Sequence, residues 1–442
     1  MNELPFLITG PFWAALIAGL LNWRPKIAAG WGMLAVFGFW LNLKMQPLPP
    51  AAGQKTADFL GQTVLLHEDG RNILLFVYAG LFGLLLLTVL FPQGRQFAPG
   101  SLAVLGLLAA ALLWRPFTYA VLFLWLALAL ATILTQAERM GQTRAALTHF
   151  LLVSVAAPLL LLAVWLAERQ PAALATPVHR LALAGFLILL AGFPFHVWVT
   201  AVVRRAPPLV APFVLGLVQL VVVVFALNFL PAGPWREQVP QFGQIARFSG
   251  AAALLAAGLM AVTAGQQFRF LSSFVLLNMG LILLVLPLPQ GEEAAVSLQK
   301  IQFIALLLTA VGRLTLRRQN VSDEVYVAAP PGGGASHCGL ARRAPLSLAL
   351  YLAGALLLLG LPLTPGFGPH WLALRALAGG AAVWLPALVL FATGLGAFAL
   401  FRAALYWLEP VGNTAVIPEP RWLQAILALF LLSILWLAWY LT

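Results

Sequence analysis

The sequence predicts an all-α membrane protein, and three observations carry that prediction. Of its 442 residues, 62% are hydrophobic and only 9% charged, whereas a soluble globular chain is about 25% charged. So few charges cannot build a water-facing surface, so lipid must be the solvent for most of it. The apolar residues also come in runs near the length of a membrane span, roughly 20 residues. Finally, the runs are continuous and not alternating, which excludes a transmembrane barrel.

Breaks at charges, Pro and Gly divide the chain into segments near 5–22, 27–43, 72–91, 99–113, 117–136, 146–167, 178–200, 209–230, 249–266, 271–288, 294–316, 345–361, 371–405 and 420–441, about fourteen in all. The first, Pro5–Leu21, lacks a basic leader and a small-residue cleavage site, so it reads as a span and not a signal peptide. Two long loops interrupt the series. Lys44–Arg71 carries Pro47, Pro49 and Pro50, and Arg317–Ala344 carries Pro330-Pro331-Gly332-Gly333-Gly334; neither is expected to hold a folded extramembrane domain. The run 371–405 is too long for one span. It predicts a break at Gly379-Gly380 or Pro386, with the part before it joining 345–361. The expected organisation is one membrane domain: helices and loop over 1–98, a first repeat over 99–230, a second over 249–405, and a C-terminal helix within 406–442.

The 25 Lys+Arg outnumber the 13 Asp+Glu, for a net charge of +12. The basic residues stand singly or in pairs between apolar runs, as in Arg24/Lys26, Arg204/Arg205, Arg317/Arg318 and Arg342/Arg343. That is how loop anchors face lipid head groups. No basic stripe with interleaved aromatics exists, so nucleic acid is not an expected partner. Odd-numbered loops hold more Lys and Arg than even ones, which puts both termini on the outer face of the cell (plasma) membrane. Cys338 is the sole cysteine, which excludes an intrachain disulfide and a Cys-rich metal or iron–sulfur site. No G-x-G-x-x-G follows a strand and no C-x-x-C-H occurs, so no cofactor and no metal is expected.

Two places break the helical pattern inside apolar segments. One is Ala191-Gly192-Phe193-Pro194-Phe195-His196-Val197-Trp198; the other runs from Gly360 through Pro362, Pro365 and Pro369 to His370-Trp371. A helix broken in a bilayer frees backbone groups that protein or water must satisfy, so such breaks tend to line cavities or ion paths. Their corresponding positions point to an internal repeat, often inverted; the alternative is two independent proline kinks.

At these residues the sequence resembles a known family. Pro194-Phe195-His196-Val197-Trp198 with Arg205-Ala206-Pro207 is similar to the P-F-H-x-W…A-P signature of the antiporter-like subunits of respiratory complex I. That superfamily includes Mrp-type cation/proton antiporters, membrane-bound hydrogenase subunits and membrane subunits of inorganic-carbon uptake complexes. Phe270-Leu271-Ser272-Ser273 with Asn278-Met279-Gly280, Gly339-Leu340-Ala341-Arg342-Arg343-Ala344-Pro345, and Gly360-Leu361-Pro362-Leu363-Thr364-Pro365-Gly366-Phe367 resemble further family motifs, in the family's order. The likeness covers roughly residues 65–410. It implies about fourteen transmembrane helices with two inverted five-helix repeats, each containing a broken helix. It also implies other membrane subunits as partners and a role in proton transport within an oxidoreductase complex, without catalysis by this chain alone.

The family moves protons along a polar axis built from a Glu on its fifth helix, Lys on its seventh, Lys or His on its eighth, and Lys or Glu on its twelfth. Here the matching positions are Leu126 or Ala127, then Leu189, Gln219 and His370. The acids, from Glu3 to Glu419, all lie outside or at the ends of apolar segments. The resemblance therefore implies a scaffold whose first half has lost its proton path. His370 is either a relay, since histidine titrates near pH 6.5, or a buried neutral side chain bonded to a freed carbonyl. His196 reads mainly as a helix-end residue, and Gln219 as a group that holds water but carries no charge. Lys300 and Arg313 sit toward opposite ends of one apolar segment and are expected to snorkel; Arg375 and Arg402 raise the same question. His149 is expected at an interface, and His67 and His179 in solvated loops. The function expected is an antiporter-like subunit with impaired or rewired proton translocation. The alternative is a membrane coupling subunit of an inorganic-carbon or cation uptake complex driven by proton flow.

Overall fold

In hydrocarbon every backbone N–H and C=O must find a partner within the protein, and a helix does this locally. That is why the apolar runs become helices. A computed structural model describes residues 3–46, 54–91, 94–136, 143–169, 175–232, 241–288, 290–318, 340–379, 382–408 and 419–441. Among them, nine helices are long and apolar enough to cross a membrane, joined by shorter apolar ones.

The chain packs as two compact units, residues 1–189 with 205–240 and residues 190–204 with 241–442. The first contains α1 (Glu3–Leu20), α2 (Pro25–Met45), β1 (Gln54–Phe59), β2 (Gln62–His67), α3 (Glu68–Leu90), α4 (Phe97–Leu113), β3 (Trp114–Arg115), α5 (Phe117–Leu134), α6 (Arg144–Arg169) and α7 (Ala175–Leu189). After the break comes α8 (Val197–Arg205), all but its last residue in the second unit. The first unit is completed by α9 (Val210–Pro212), a π-helical turn (Phe213–Val218) and α10 (Gln219–Ala232). This last stretch is its centre: 94% of its apolar window is buried. Phe229 stands 5.5 Å from Phe117 and 5.6 Å from Phe186, ring to ring.

The rest of the second unit comprises α11 (Gln241–Thr263), α12 (Gln267–Val285), α13 (Gly291–Arg318), α14 (Leu340–Arg343), α15 (Pro345–Leu359), α16 (Phe367–Ala378), α17 (Trp384–Leu408) and α18 (Arg421–Leu441). Its centre is α13, with 83% of the apolar window buried. A Cβ on Gly250 of α11 would lie 2.8 Å from the Gly280 carbonyl, and one on Gly280 of α12 would lie 3.0 Å from the Gly250 carbonyl. Small residues here let two backbones touch, the usual basis of helix association in lipid.

The long run 371–405 resolves as expected at its start. α16 ends at Ala378, α17 begins at Trp384, and Pro386 lies inside the first turn of α17, where proline is tolerated. The segment before the break joins α15 through residues 360–366. Cys338 and the stretch Pro330–Gly334 lie outside the described residues.

One small β element stands beside the helices where the sequence suggested only a loop. Within 44–71, β1 and β2 form a hairpin, and Thr63 and Val64 pair with Arg115 and Trp114 of β3. Leu60 and Gly61 both take positive φ, 52° and 73°, as the tight turn of a twisted hairpin requires. Val64 and Leu66 form its buried face, and Phe59 meets Trp114 edge-on at 5.5 Å. Two buried positions and a Leu-Gly turn are too little signal to mark it in the sequence.

Candidate functional site

The two helix breaks are equal in length, residues 190–196 and 360–366. Each holds a non-glycine residue in the left-handed region, Ala191 at φ 54° and Leu363 at φ 72°. Such backbone is sparsely populated, and it gathers at functional sites and clamps.

In the first unit the π-helical turn aims the key side chain. The Gln219 N–H donates to the Val214 carbonyl, five residues back. A π-turn inserts one residue into the helical register and so rotates the next side chains to a new direction. Gln219 is buried, and its Nε2 donates to the Leu189 carbonyl at 2.8 Å. Leu189 is the last residue of α7, so its carbonyl is one that the helix cannot satisfy itself. Leu189 and Gln219, two positions where the resemblance leads one to expect cations, thus meet through a neutral amide and a backbone carbonyl. Of the two α5 positions where the resemblance leads one to expect an acid, Ala127 is buried, while Leu126 is 42% exposed and faces outward. Beside Leu189 lies a cavity of about 10 Å³ lined by Val121, Leu124, Leu128, Ala157 and Leu160 among others. Apart from the Trp125 indole, whose Nε1–H is buried without a partner among the described residues, its lining is apolar, short of the two to four polar partners that a water needs in roughly 10–15 Å³.

His149 is not interfacial as expected. It is buried on α6, with Nδ1 2.8 Å from the Thr132 hydroxyl, which itself donates to the Leu128 carbonyl at 2.9 Å. His179, expected in a solvated loop, is buried within α7. His149 lies where α6 faces α5, a pairing that the local sequence does not reveal. His67 is exposed at the end of β2, as expected.

In the second unit His370 is 5% exposed near the start of α16. Its Nδ1 is 2.8 Å from the Gly366 carbonyl. A carbonyl only accepts, so the nitrogen facing Gly366 carries the proton, and a neutral imidazole has only one N–H to give. Gly360, at φ 60°, lies directly against the ring: a Cβ there would overlap the imidazole. The second break therefore folds around His370. His196 differs. Its ring stacks on Phe193 at 5.8 Å, its Nδ1 meets no partner among the described residues, and its backbone carbonyl accepts from Val199 N at 3.2 Å.

The reading of Arg313 as snorkelling is overturned. It is 5% exposed on the central helix α13, and its NH1 points to the Val203 carbonyl, 3.5 Å away in the last turn of α8. Arg402 on α17 likewise donates to the Ala264 carbonyl, just past α11, at 3.0 Å. Cations at helix C-termini meet the negative end of the dipole. Lys300 is half-buried, and Arg375 is exposed in the last turn of α16.

Sequence reasoning missed several residues. Glu419 is 6% exposed, and its carboxylate accepts from Leu346 N at 3.1 Å and Ser347 N at 2.8 Å, capping α15. Asn278 on α12 donates through Nδ2 to the Leu298 carbonyl at 3.1 Å and to Gln302 Oε1 at 2.8 Å. With Gln299, Gln302, Thr309 and Arg313 all buried, α13 carries a polar line through the second unit. The Gln299–Gln302 spacing on one apolar helix face was the available signal. No group of three His, Cys, Asp or Glu able to hold a metal occurs among the described residues.

No family model matches the chain. Its relatives include NADH-quinone oxidoreductase subunit N of Cereibacter sphaeroides, 29% identical over 393 residues, with 84% of each chain covered. NADH-quinone oxidoreductase subunit N 3 of Streptomyces griseus is 26% identical over 250 residues, covering 54% of this chain and 42% of the relative. A further relative from Acidobacterium capsulatum is covered over 54% of its length, so the chain spans about half the length of several curated relatives. Among solved structures, a subunit of the archaeal membrane-bound sulfane sulfur reductase superposes with a TM-score of 0.82 at 17% identity, covering 100% of this chain and 95% of that one. A chain of the Mrp complex from Dietzia sp. gives 0.77 at 16% identity, covering 93% and 82%. A chain of Thermus thermophilus respiratory complex I gives 0.72 at 20% identity, covering 97% of each. In sequence the chain is thus similar to NADH-quinone oxidoreductase subunit N, and in fold it is a multi-pass helical membrane protein like the matched chains of the sulfane sulfur reductase, Mrp and complex I assemblies.

Proposed function

We propose that the chain serves as the antiporter-like membrane subunit of a complex-I-like assembly of NADH/quinone oxidoreductase type, and that its first unit does not conduct protons. The observation that carries this reading is the bond from Gln219 Nε2 to the Leu189 carbonyl. Translocation needs groups whose charge changes state. Here a leucine, an alanine and an amide stand where the family keeps charges, and the apolar cavity beside Leu189 offers a water wire few footholds.

The polar groups of the second unit support a different role there. His370, bonded to the Gly366 carbonyl, and the line of Asn278, Gln299, Gln302 and Thr309 support the reading of a rewired path there. The equal breaks support the two stretches 99–230 and 249–405 as copies of one unit. In this reading electrons pass through partner subunits, the membrane is the plasma membrane, and both termini face outward. The likeness to an Mrp chain favours the rival reading, a coupling subunit of a cation or inorganic-carbon uptake complex.

Isolation of the native assembly separates the two. Quinone-reductase or hydrogenase partners are expected; a carbonic-anhydrase-like zinc protein would replace the first reading with the second. Within the assembly, His370→Phe is expected to lower the number of protons moved per turnover. Unchanged pumping by a fully assembled variant would sink the path through the second unit.

A further inference from the structure

On the outer face of the first unit, α4, α5 and α6 leave an open groove of about 450 Å³, within the roughly 300–1,000 Å³ typical of small-molecule sites. Its floor is a stripe of α5: Leu126, Ala129, Leu130 and Ile133, ending at Gln136. Leu107 of α4 closes one side, and Ala146, Leu147 and Phe150 from the first turns of α6 close the other. Leu126, Ile133, Leu147 and Phe150 are all at least 40% exposed, so the groove is open to whatever surrounds the helices. Thr132 also lines it, but its hydroxyl is already engaged by His149 and the Leu128 carbonyl, so the wall asks nothing polar of an occupant.

The groove has a direction and a length. From Leu126 to Gln136 the stripe runs ten residues, about 15 Å at about 1.5 Å per residue. Leu126 lies near the middle of α5, and Gln136 comes just past its end, beside the start of α6. The hydrocarbon core of a bilayer is about 30 Å thick, so one leaflet is about 15 Å. The groove thus matches a single leaflet, apolar from the midplane outward, with a side-chain amide at its outer end. A partner helix crossing the bilayer would need a track about twice as long.

We infer that this groove is a binding site for one acyl chain of a membrane phospholipid, seated along α5 with its head group at the Gln136 end. The site depends on the apolar residue at 126. A carboxylate there would put a charge at the buried tip of the chain, where hydrocarbon does not tolerate it.

The test uses the native assembly carried through stepwise delipidation, with retained phospholipid counted by native mass spectrometry. The expected result is one phospholipid per chain that outlasts the bulk lipid. Ala129→Phe, which fills the floor, and Ile133→Phe, which crowds the mouth and should fold readily, are each expected to release it. Phe398→Leu, on the exposed face of α17, is expected to leave it bound. Equal retention by wild type and both groove variants would overturn the inference. So would efficient cross-linking of Ile133→Cys (in a Cys338→Ser background) to a neighbouring subunit, because the groove would then be a protein interface.

Discussion

Replacing Gln219 by leucine tests the central claim about the first unit. Leucine nearly preserves volume but removes the donor that reaches the Leu189 carbonyl at 2.8 Å. Hydrogen bonds between helices in membranes are worth about 0.6 kcal/mol on average and up to about 1.7. A buried carbonyl left unpaired costs about 1–3 kcal/mol. Because Gln219 is 1% exposed, water cannot readily take the amide's place, so a loss of about 1–2 kcal/mol is expected. Denaturant titration of the purified chain in mixed micelles reads that loss as a lowered midpoint. Proton pumping by the assembled complex, measured per turnover in proteoliposomes, is expected to stay at the wild-type ratio. Wild-type stability together with abolished pumping would refute the reasoning, since Gln219 would then be part of a working path and not a cap on a broken helix.

Three other perturbations test the same geometry. Glu419→Ala strands two N–H groups at the start of α15, each bond to the carboxylate being worth about 1.5–3 kcal/mol; a loss of about 3 kcal/mol is expected in the same titration, and Glu419→Gln should recover more than half of it. Gly360→Ala forces a Cβ into the left-handed region, about 1–2 kcal/mol, and into the His370 ring. Its larger expected effect is a shifted imidazole resonance by NMR, and an unmoved resonance would count against the packing described. Arg402→Met removes the cation from the end of α11 and is expected to cost about 1 kcal/mol, with added salt changing little because the site is half-buried.

Much of the fold was legible because lipid makes composition decisive. The runs, the two breaks and the split of 371–405 follow from span length and from where Pro and Gly fall. The hairpin was not legible, because its two buried positions, Val64 and Leu66, gain their meaning only against Trp114. The candidate site was half legible. Leu189, Gln219 and His370 were singled out by the resemblance and lie at the helix breaks, but Arg313 could not be assigned. Its charge suggested snorkelling, and only its place on the central helix of the second unit puts a carbonyl of α8 before it and lipid out of reach.

By itself, the sequence determined that the chain is a multi-pass membrane protein with two broken helices, and that Ala127, Leu189 and Gln219 carry no charge. Those are properties of residue type and order, and no folding can add a charge to Leu189 or Ala127. Only the tertiary structure decided what the remaining polar groups do. Gln219 closes α7, Arg313, Arg402 and Glu419 close other helix ends, and Asn278 joins two residues of α13. The reason is that a broken helix leaves backbone groups whose partners must come from distant segments, and which side chain arrives depends on packing alone.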